Sequence, residues 1–362
     1  MSGYWSDMFI DKNNQCDTFI ISKENPIEYD NNNNNIKLYK GIKLEEYEEV
    51  SEFISKNNKM SSDNTTLLPV DEIIKLLNFD TVSILMRGKN NRLIGVIISV
   101  SLPIMCNKKE IIIHGCTTFL NVHSKLRGHG LCMALIRELI SYGYQDNIYC
   151  DYHTVPFSIG SNSFRLKAYY RPINLFSCKR LGFIFPDHDN PRKLTKTRLK
   201  YRTAFPKNCK IIKVDLNNHN IESSLKYYHT LIKNKKFSFY PDNNLWLKWT
   251  KTFPTFVVYI RDVEVGIISM HSIYCLIDKT QEEGVIGTPV ICNGDMNIVL
   301  PVLLNLAKEE FKYDLVYFHS YGDITEESMI ENNCIEADSD MWFSLYNNRI
   351  KIKSSDISVP LL

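Results

Sequence analysis

With 362 residues the chain can bury a substantial core, and its formal net charge of +2, spread over scattered basic residues, excludes a strongly basic nucleic-acid-binding protein. The ten cysteines form no Cys-x-x-Cys pair, the first residues lack the features of a signal peptide, and the longest apolar run, 93–105, is too short to span a bilayer. We therefore expect a cytoplasmic protein with reduced thiols, no metal site, no nucleic-acid partner and no transmembrane segment.

The first half of the chain is predicted to contain a sheet covered by helices. A polar run at 31–35 ends a leader of residues 1–35, and the first half then extends over residues 36–204. Leu131, Leu135 and Leu139 recur at helical spacing, which predicts a helix after the strands. In chain order, the predicted elements are helices at 44–56 and 70–77, strands at 82–87, 93–101 and 110–117, the helix that begins at Leu131, and a strand at 148–155.

The second half, residues 205–362, is predicted to repeat this organisation. Residues 92–99 and 263–269 each read as a turn, a glycine and an apolar strand that carries a serine. This internal similarity predicts an α/β protein in which a mixed sheet covered by helices occurs twice in tandem. The predicted elements are a strand at 211–214, helices at 221–233 and 244–251, strands at 255–260 and 265–271, a helix at 298–311, and strands at 315–319 and 342–345.

A basic turn with two glycines joins the predicted strand at 110–117 to the helix that begins at Leu131. The unpaired backbone N–H groups and the positive dipole end of a helix start are suited to a pyrophosphate. Gly128 and Gly130 permit close approach because no Cβ is in the way. The pattern also fits an ordinary surface loop with two glycines. The second half has no such turn before its helix, so we expect a nucleotide to bind the first half only.

Several segments carry a resemblance to one enzyme family. The order of strand, Phe-Leu, basic turn and helix resembles the segment with which acyl-CoA transferases of the GNAT type hold a pyrophosphate. Residues 119–127 also resemble the F-L-C-V-H-K-K-L-R segment of N-myristoyltransferases. Residues 169–174 resemble the W-H-R-S-L-N segment of that family. The remaining matches are Tyr4-Trp5, Asn25-Pro26-Ile27-Glu28, residues 94–99 with Pro103, Gly182-Phe183 and Leu345-Tyr346-Asn347. The matches are colinear and extend over nearly the whole chain, so the resemblance covers both halves. It implies two fused GNAT-like halves in one compact unit.

The resemblance also implies roles for individual residues. The backbone N–H groups of Phe119 and Leu120 would form an oxyanion hole, and the carboxylate of Leu362, at the end of an apolar tail, would be the base. Plain strand core remains the alternative for Phe119 and Leu120, and a tail docked only for stability remains the alternative for Leu362. The residues expected to contact the acyl-CoA are Gly3, Tyr4, Trp5, Phe119, Leu120, Asn121, Val122, Gly128, Gly130, Leu131 and Cys132.

Three reactive side chains near this segment are expected to be structural. Cys132 stands where the family has alanine, and nothing nearby in the sequence activates it as a nucleophile. His123 belongs to the matched strand end, and His129 lies in the turn, so we rank a catalytic role for either histidine below a structural one.

The chain departs from the family mostly on the side of the acyl acceptor. The acidic E-D-D-D loop aligns with residues 58–61, where its negative charge is lost, and the histidine of W-H-R-S-L-N is Tyr170. The K-F-G-x-G-D-G turn aligns with residues 333–339 and keeps only the aspartate. The phosphate turn is also less basic than in the family, so backbone donors would carry more of the contact.

The resemblance implies transfer of a myristoyl group from myristoyl-CoA to the N-terminal glycine of acceptor proteins. Myristoyl-CoA is then a co-substrate, no cofactor is permanently bound, and we expect a monomer. Two other functions stay open: a GNAT-type acyltransferase that prefers acetyl-CoA and another amine, and a non-catalytic protein that binds acyl-CoA or lipopeptide. Acyl-chain selectivity and the identity of the acceptors are not encoded in any motif of the sequence.

Overall fold

The fold is taken from a computed structural model that describes residues 20, 36–58, 64–156, 158, 163–181, 191–215, 220–277, 282–338, 340–348 and 350–362. The predicted leader contacts at Gly3, Tyr4 and Trp5 lie outside these residues, as do the matched segments at 25–28 and 182–183. For them the sequence interpretation stays a prediction.

Groups of strands and helices follow one another along the described part of the chain. The strands are β1 (Lys37–Lys40), β2 (Asn64–Leu67), β3 (Thr81–Arg87), β4 (Leu93–Cys106), β5 (Glu110–Val122), β6 (Cys150–Val155), β7 (Ser163–Leu166), β8 (Ala168–Pro172), β9 (Cys209–Lys213), β10 (Phe237–Phe239), β11 (Thr255–Ile260), β12 (Val263–Ile277), β13 (Glu282–Gly294), β14 (Leu315–His319), β15 (Ile335–Glu336), β16 (Met341–Tyr346) and β17 (Ile357–Ser358). The α-helices are α1 (Tyr47–Asn57), α2 (Val70–Leu77), α3 (Leu131–Gln145), α4 (Leu175–Arg180), α5 (Pro191–Lys200), α6 (Ile221–Ile232), α7 (Asn243–Thr252), α8 (Met296–Glu309) and α9 (Glu326–Glu331).

The strands form two mixed sheets. The first has the order β1-β3-β4-β5-β6-β16-β7, with β10 beside β4 and β17 beside β10. The second has the order β15-β8-β14-β13-β12-β11-β9, with β2 beside β12. Most neighbours are antiparallel, but three pairs are parallel: β5 with β6, β10 with β17, and β13 with β14. The predicted α/β class with a mixed sheet in each half is confirmed.

The same glycine contact occurs in both halves. A Cβ on Gly95 of β4 would lie 3.0 Å from Cδ1 of Leu135 in α3, and a Cβ on Gly266 of β12 would overlap the side chain of Val299 in α8. In each half the missing side chain lets one helix pack directly on the sheet. This equivalence gives a physical reason for the glycine in the internal sequence similarity.

The two halves exchange strands. The first sheet contains β10, β16 and β17 from the second half of the chain, and the second sheet contains β2 and β8 from the first half. Phe237 of β10 and Phe343 of β16 are fully buried against Tyr152 of β6, with ring centroids 5.9 Å and 5.7 Å from its ring. The boundary between residues 204 and 205 stays a prediction, and both sheets contain strands from either side of it.

Most strongly periodic segments form the predicted elements. α2, β11 and β14 have the predicted bounds, and the predicted helices at 44–56 and 221–233 correspond to a short 3-10 turn with α1 and to α6. β5 is five residues longer than the predicted strand at 110–117, because pairing with β4 continues through the Phe-Leu segment. In the described part of the chain, no helix is long and apolar enough to cross a membrane, and no cluster of three His, Cys, Asp or Glu side chains could hold a metal ion.

Candidate functional site

β5 has a bulge and an unpaired edge at the Phe-Leu segment. Opposite β4, Thr117 pairs with Ser99 and Phe119 pairs with Ile98, so Thr118 is an extra residue in β5. On its other side β5 pairs with β6 only up to Cys116. Beyond that residue the two strands part, and among the described residues no strand pairs with this edge of β5. Backbone N–H groups along the edge are therefore available to a ligand.

A cavity of about 420 Å³ lies beside the opening between β5 and β6. Its volume falls within the range of about 300–1,000 Å³ that is usual for small-molecule sites. Its walls are mainly apolar side chains, with the largest share from α3, and the polar side chains come mainly from β4, β5 and β6. The apolar lining includes Val82, Ile97, Leu120, Ile136, Leu139, Ile140 and Ile148.

The glycine turn leaves the N-terminus of α3 open. Gly128 and Gly130 have φ angles of 85° and 75°, a left-handed conformation that a glycine adopts without strain. A Cβ at either position would meet nothing within 4 Å. Gly130 is the N-cap of α3, and no side chain caps this helix start. No side chain therefore competes for the N–H groups at the start of α3, at the predicted phosphate position.

Some basic side chains of this turn form hydrogen bonds that stabilise the turn itself. The guanidinium of Arg127 donates to the carbonyl oxygen of Asn57 at the end of α1, and the side-chain oxygen of Asn57 accepts from the backbone N–H of Ser124 at 2.8 Å. Nδ1 of His123 accepts from the backbone N–H of Lys125. These contacts support the structural role predicted for His123 and leave the backbone as the main donor to an anion.

The equivalent helix of the second half has a different start. The side chain of Asp295 caps α8 by accepting from the backbone N–H of Asn297 at 3.1 Å. A carboxylate already occupies the position that an anionic ligand would take, and it would repel a phosphate. The structure thus supplies a reason for the predicted asymmetry between the halves.

The end of the chain lies at the point where β5 and β6 separate. The hydroxyl of Tyr152 donates to the carbonyl oxygen of Pro360 at 3.1 Å, and a main-chain group of Leu362 is hydrogen-bonded to the thiol of Cys116. Cys116 is three residues before Phe119, which is about 10 Å along an extended strand. The last residues of the chain therefore lie beside the end of the β5–β6 pairing, next to Cys116 and Tyr152.

The other predicted residues of this segment have different surroundings. Leu120 lines the cavity, whereas Phe119 packs into the core on the opposite face of the sheet, and Asn121 and Val122 are buried. Cys132 is exposed in the first turn of α3, and desolvation by its neighbours raises the pKa of its thiol, so the protonated form predominates at neutral pH. That agrees with the prediction that Cys132 is not a nucleophile.

The segment at 169–174 that resembles W-H-R-S-L-N lies in the second sheet. Arg171 of β8 is buried and stacks 4.6 Å from the ring centroid of Tyr201. Asn174 caps α4 by accepting from the backbone N–H groups of Phe176 and Ser177. These contacts stabilise the second sheet and are not part of the cavity.

A polar cluster in the cavity wall was missed by sequence reasoning. Oδ2 of Asp151 accepts from the hydroxyl of Thr117 at 2.8 Å and from that of Ser99 at 3.3 Å. Oδ1 of Asp151 accepts from Nδ1 of His153 at 2.8 Å. All four side chains line the cavity. The cluster joins β4, β5 and β6, and only the Asp-x-His spacing on one strand could have indicated it from the sequence.

Comparison with solved structures identifies the fold. A crystal structure of Saccharomyces cerevisiae N-myristoyltransferase with bound myristoyl-CoA superposes with a TM-score of 0.74 at 13% sequence identity, covering 91% of this chain and 86% of that one. The chain has the N-myristoyltransferase fold. A second structure of the yeast enzyme with bound myristoyl-CoA gives a TM-score of 0.73 at 13% identity over 91% and 90% of the two chains.

The yeast enzyme with myristoyl-CoA and inhibitors gives a TM-score of 0.75 at 14% identity, covering 88% of this chain and 81% of that one. The resemblance inferred from short motifs is therefore confirmed at the level of the fold. No known family's sequence profile matches the chain, and no curated protein is similar to it in sequence. The low identities fit a divergent sequence on this fold.

Proposed function

We propose that the protein transfers a myristoyl group from myristoyl-CoA to the N-terminal glycine of acceptor proteins. The observation that carries this proposal is the opening between β5 and β6, which meets an apolar cavity along the middle and end of α3, a helix whose start is uncapped. A thioester in the opening could place its acyl chain in the cavity and its pyrophosphate at the helix start.

In the proposed reaction, the main chain supplies both catalytic contributions. The backbone N–H groups of Phe119 and Leu120 would stabilise the negative charge on the thioester oxygen, and losing one such donor costs about a hundred- to a thousandfold in rate in other enzymes. The carboxylate of Leu362 would accept a proton from the glycine ammonium, whose pKa of about 8 leaves much of it protonated at neutral pH. Gly128, Gly130, Leu131 and Cys132 would surround the phosphates, and Gly3, Tyr4 and Trp5 are expected to lie along the acyl-CoA.

The second candidate is an acyltransferase that acts on another amine. It is favoured by the loss of acidic residues at 58–61, where Asn58 lines the cavity and residues 59–63 lie outside the described part of the chain. This candidate would prefer acetyl-CoA, and the apolar cavity favours a long acyl chain over acetyl, which supports the first candidate.

Mass spectrometry of the products tests the proposal. Purified protein is given acetyl-, octanoyl-, myristoyl- and palmitoyl-CoA, each with a panel of Gly-initiated peptides and with matched peptides that begin with acetylglycine. We expect release of CoA and an added acyl mass with myristoyl-CoA and free glycine only. Tight myristoyl-CoA binding without transfer to any Gly-peptide would contradict the proposed reaction, and acetyl transfer with indifference to myristoyl-CoA would favour the second candidate.

A further inference from the structure

We infer that His153 is the general acid that protonates the sulfur of the departing CoA, and that Asp151 positions its ring. This inference rests on the acyl transfer proposed above and adds a residue to its chemistry. It starts from the polar cluster of Ser99, Thr117, Asp151 and His153, of which only Ser99 belongs to a matched segment.

The hydrogen bonds fix which nitrogen of His153 is available. Nδ1 donates to Oδ1 of Asp151 at 2.8 Å, so Nε2 is the nitrogen left for chemistry. The carboxylate of Asp151 is itself held by the hydroxyls of Thr117 and Ser99. Both Asp151 and His153 have side chains that are 18% exposed, which means that the pair is partly desolvated but reachable from the cavity. An oriented imidazole beside a carboxylate is suited to proton transfer.

The strand register places His153 at the opening. The last paired residues are Cys116 in β5 and Tyr152 in β6, and His153 is the next residue of β6. His153 therefore lies where the two strands begin to separate, opposite Thr117. Phe119 is two residues further along β5, which is roughly 7 Å. A thioester held at the bulge of β5 is within reach of an imidazole at this position.

The two faces of the sheet separate the amine from the sulfur. Asp151 and His153 are two residues apart on β6, so both side chains are on the face that is covered by α3, where the cavity lies. Tyr152 points to the opposite face and contacts Pro360 near Leu362. Because the predicted pyrophosphate site is the start of α3, the CoA sulfur would arrive on the side of His153, and the proposed base would be on the other side.

The glycine amine, the thioester and His153 account for every bond and proton in the proposed reaction. The amine nitrogen forms a bond to the thioester carbon, and the carbon–sulfur bond breaks with its electron pair on sulfur. The imidazolium of His153 gives its Nε2 proton to that sulfur, so that CoA leaves as a thiol. Of the two protons that the glycine ammonium loses, one restores the imidazolium through solvent and the other is released. No oxidant or further reactant is required.

A change of leaving group tests this role directly. His153→Asn keeps a donor at the position of Nδ1 and removes the Nε2 group, while Asp151→Asn removes the positioning carboxylate. Single-turnover transfer to a Gly-peptide is measured with myristoyl-CoA and with the myristoyl thioester of nitrothiophenol, whose more acidic thiol leaves without a proton. We expect His153→Asn to slow transfer from myristoyl-CoA by about a hundredfold or more, and transfer from the aryl thioester by less than about threefold. Asp151→Asn should show the same pattern with a smaller loss.

His229→Gln is the control, because His229 is a half-buried histidine outside the cavity. Its ring stacks on that of Tyr240, with 4.0 Å between the ring centroids. His153→Gln is a second variant in case His153→Asn folds poorly, and thermal melting establishes which variants are folded. Equal losses with both donors, or no loss with either, would overturn the role of His153 while the proposed function stands. If the parental protein transfers no acyl group from either donor, the proposed function fails and this inference fails with it.

Discussion

At the scale of single residues, Gly130 gives direct access to the predicted phosphate position. Its backbone is left-handed, and a Cβ there would project into open space at the start of α3. Gly130→Glu would place a carboxylate beside the phosphates at the cost of about 1–2 kcal/mol of backbone strain. Because apposed like charges cost several kcal/mol, we expect affinity for myristoyl-CoA to fall by about a hundredfold or more in isothermal titration calorimetry.

Gly41 provides a matched control for the backbone strain. Its φ angle is 84°, and a Cβ there would also meet nothing within 4 Å, yet it follows β1 outside the cavity lining. Gly41→Glu should lower the melting temperature about as much as Gly130→Glu and leave acyl-CoA affinity unchanged. Unchanged affinity of Gly130→Glu would refute the phosphate site at α3.

The sequence indicated some site residues and could not indicate others. Leu120 and Gly130 lie in one strand and the turn after it, so a local motif was enough to predict a role for both, and Leu120 lines the cavity. Asp151 and His153 become a cluster only when Ser99 and Thr117 are paired beside them, and that pairing is a property of the sheet. Arg127 ends the matched segment at 119–127, but its guanidinium is bonded to α1, a contact between positions 70 residues apart that the sequence does not reveal.

At the scale of elements, the segment that follows β17 carries the carboxylate proposed as the base. β17 pairs in parallel with β10, and the following residues Val359 and Pro360 are buried. Leu361 and Leu362 pack partly exposed against the same core. Two residues added after Leu362 would move the carboxylate away from Cys116. We expect this extension to slow the chemical step by about a hundredfold or more in single-turnover assays, with myristoyl-CoA affinity nearly unchanged.

Leu362→Val is the control for that experiment, because it keeps the main-chain carboxylate in place and alters only the side chain. It should retain activity within about threefold. A deletion of Leu361 and Leu362 should behave like the extension. An extended protein with the parental rate would exclude the carboxylate of Leu362 as the base, and a loss of both rate and acyl-CoA affinity would indicate general destabilisation instead.

Elements with a clear hydrophobic period were predictable, and elements that depend on their partners were not. α2 repeats apolar residues at helical spacing, and its observed bounds match the prediction. β13 contains Gly284, Gly287 and Pro289, which weaken a strand signal, yet it pairs with β12 over nearly its whole length. β10 has only three residues and is held by β4 and β17, so its strand character comes from its neighbours.

At the scale of the whole molecule, the exchanged strands make the halves dependent on each other. A fragment that ends at residue 204 would lose β10, β16 and β17 from the first sheet. It would expose the edge of β6 and the ring of Tyr152, which is fully buried in the intact protein. We expect this fragment to show no cooperative thermal transition by circular dichroism, whereas the full chain unfolds in one cooperative step.

Mixing the fragment with residues 205–362 is the control for this prediction. Because the missing strands are supplied in trans, the mixture should regain a cooperative transition and amide protection in β6. A fragment that melts cooperatively on its own, close to the temperature of the full chain, would contradict the expected dependence between the halves.

The position of β16 also bears on how the protein is made. A ribosome releases β3, β4, β5 and β6 early, but β16, which lies between β6 and β7, is added only from residue 341 onward. Until β16 emerges, the nascent first sheet therefore presents an open edge on β6. Contacts of such large sequence separation form slowly because loop closure precedes them. We therefore expect a chaperone that shields exposed strand edges to speed completion of this sheet.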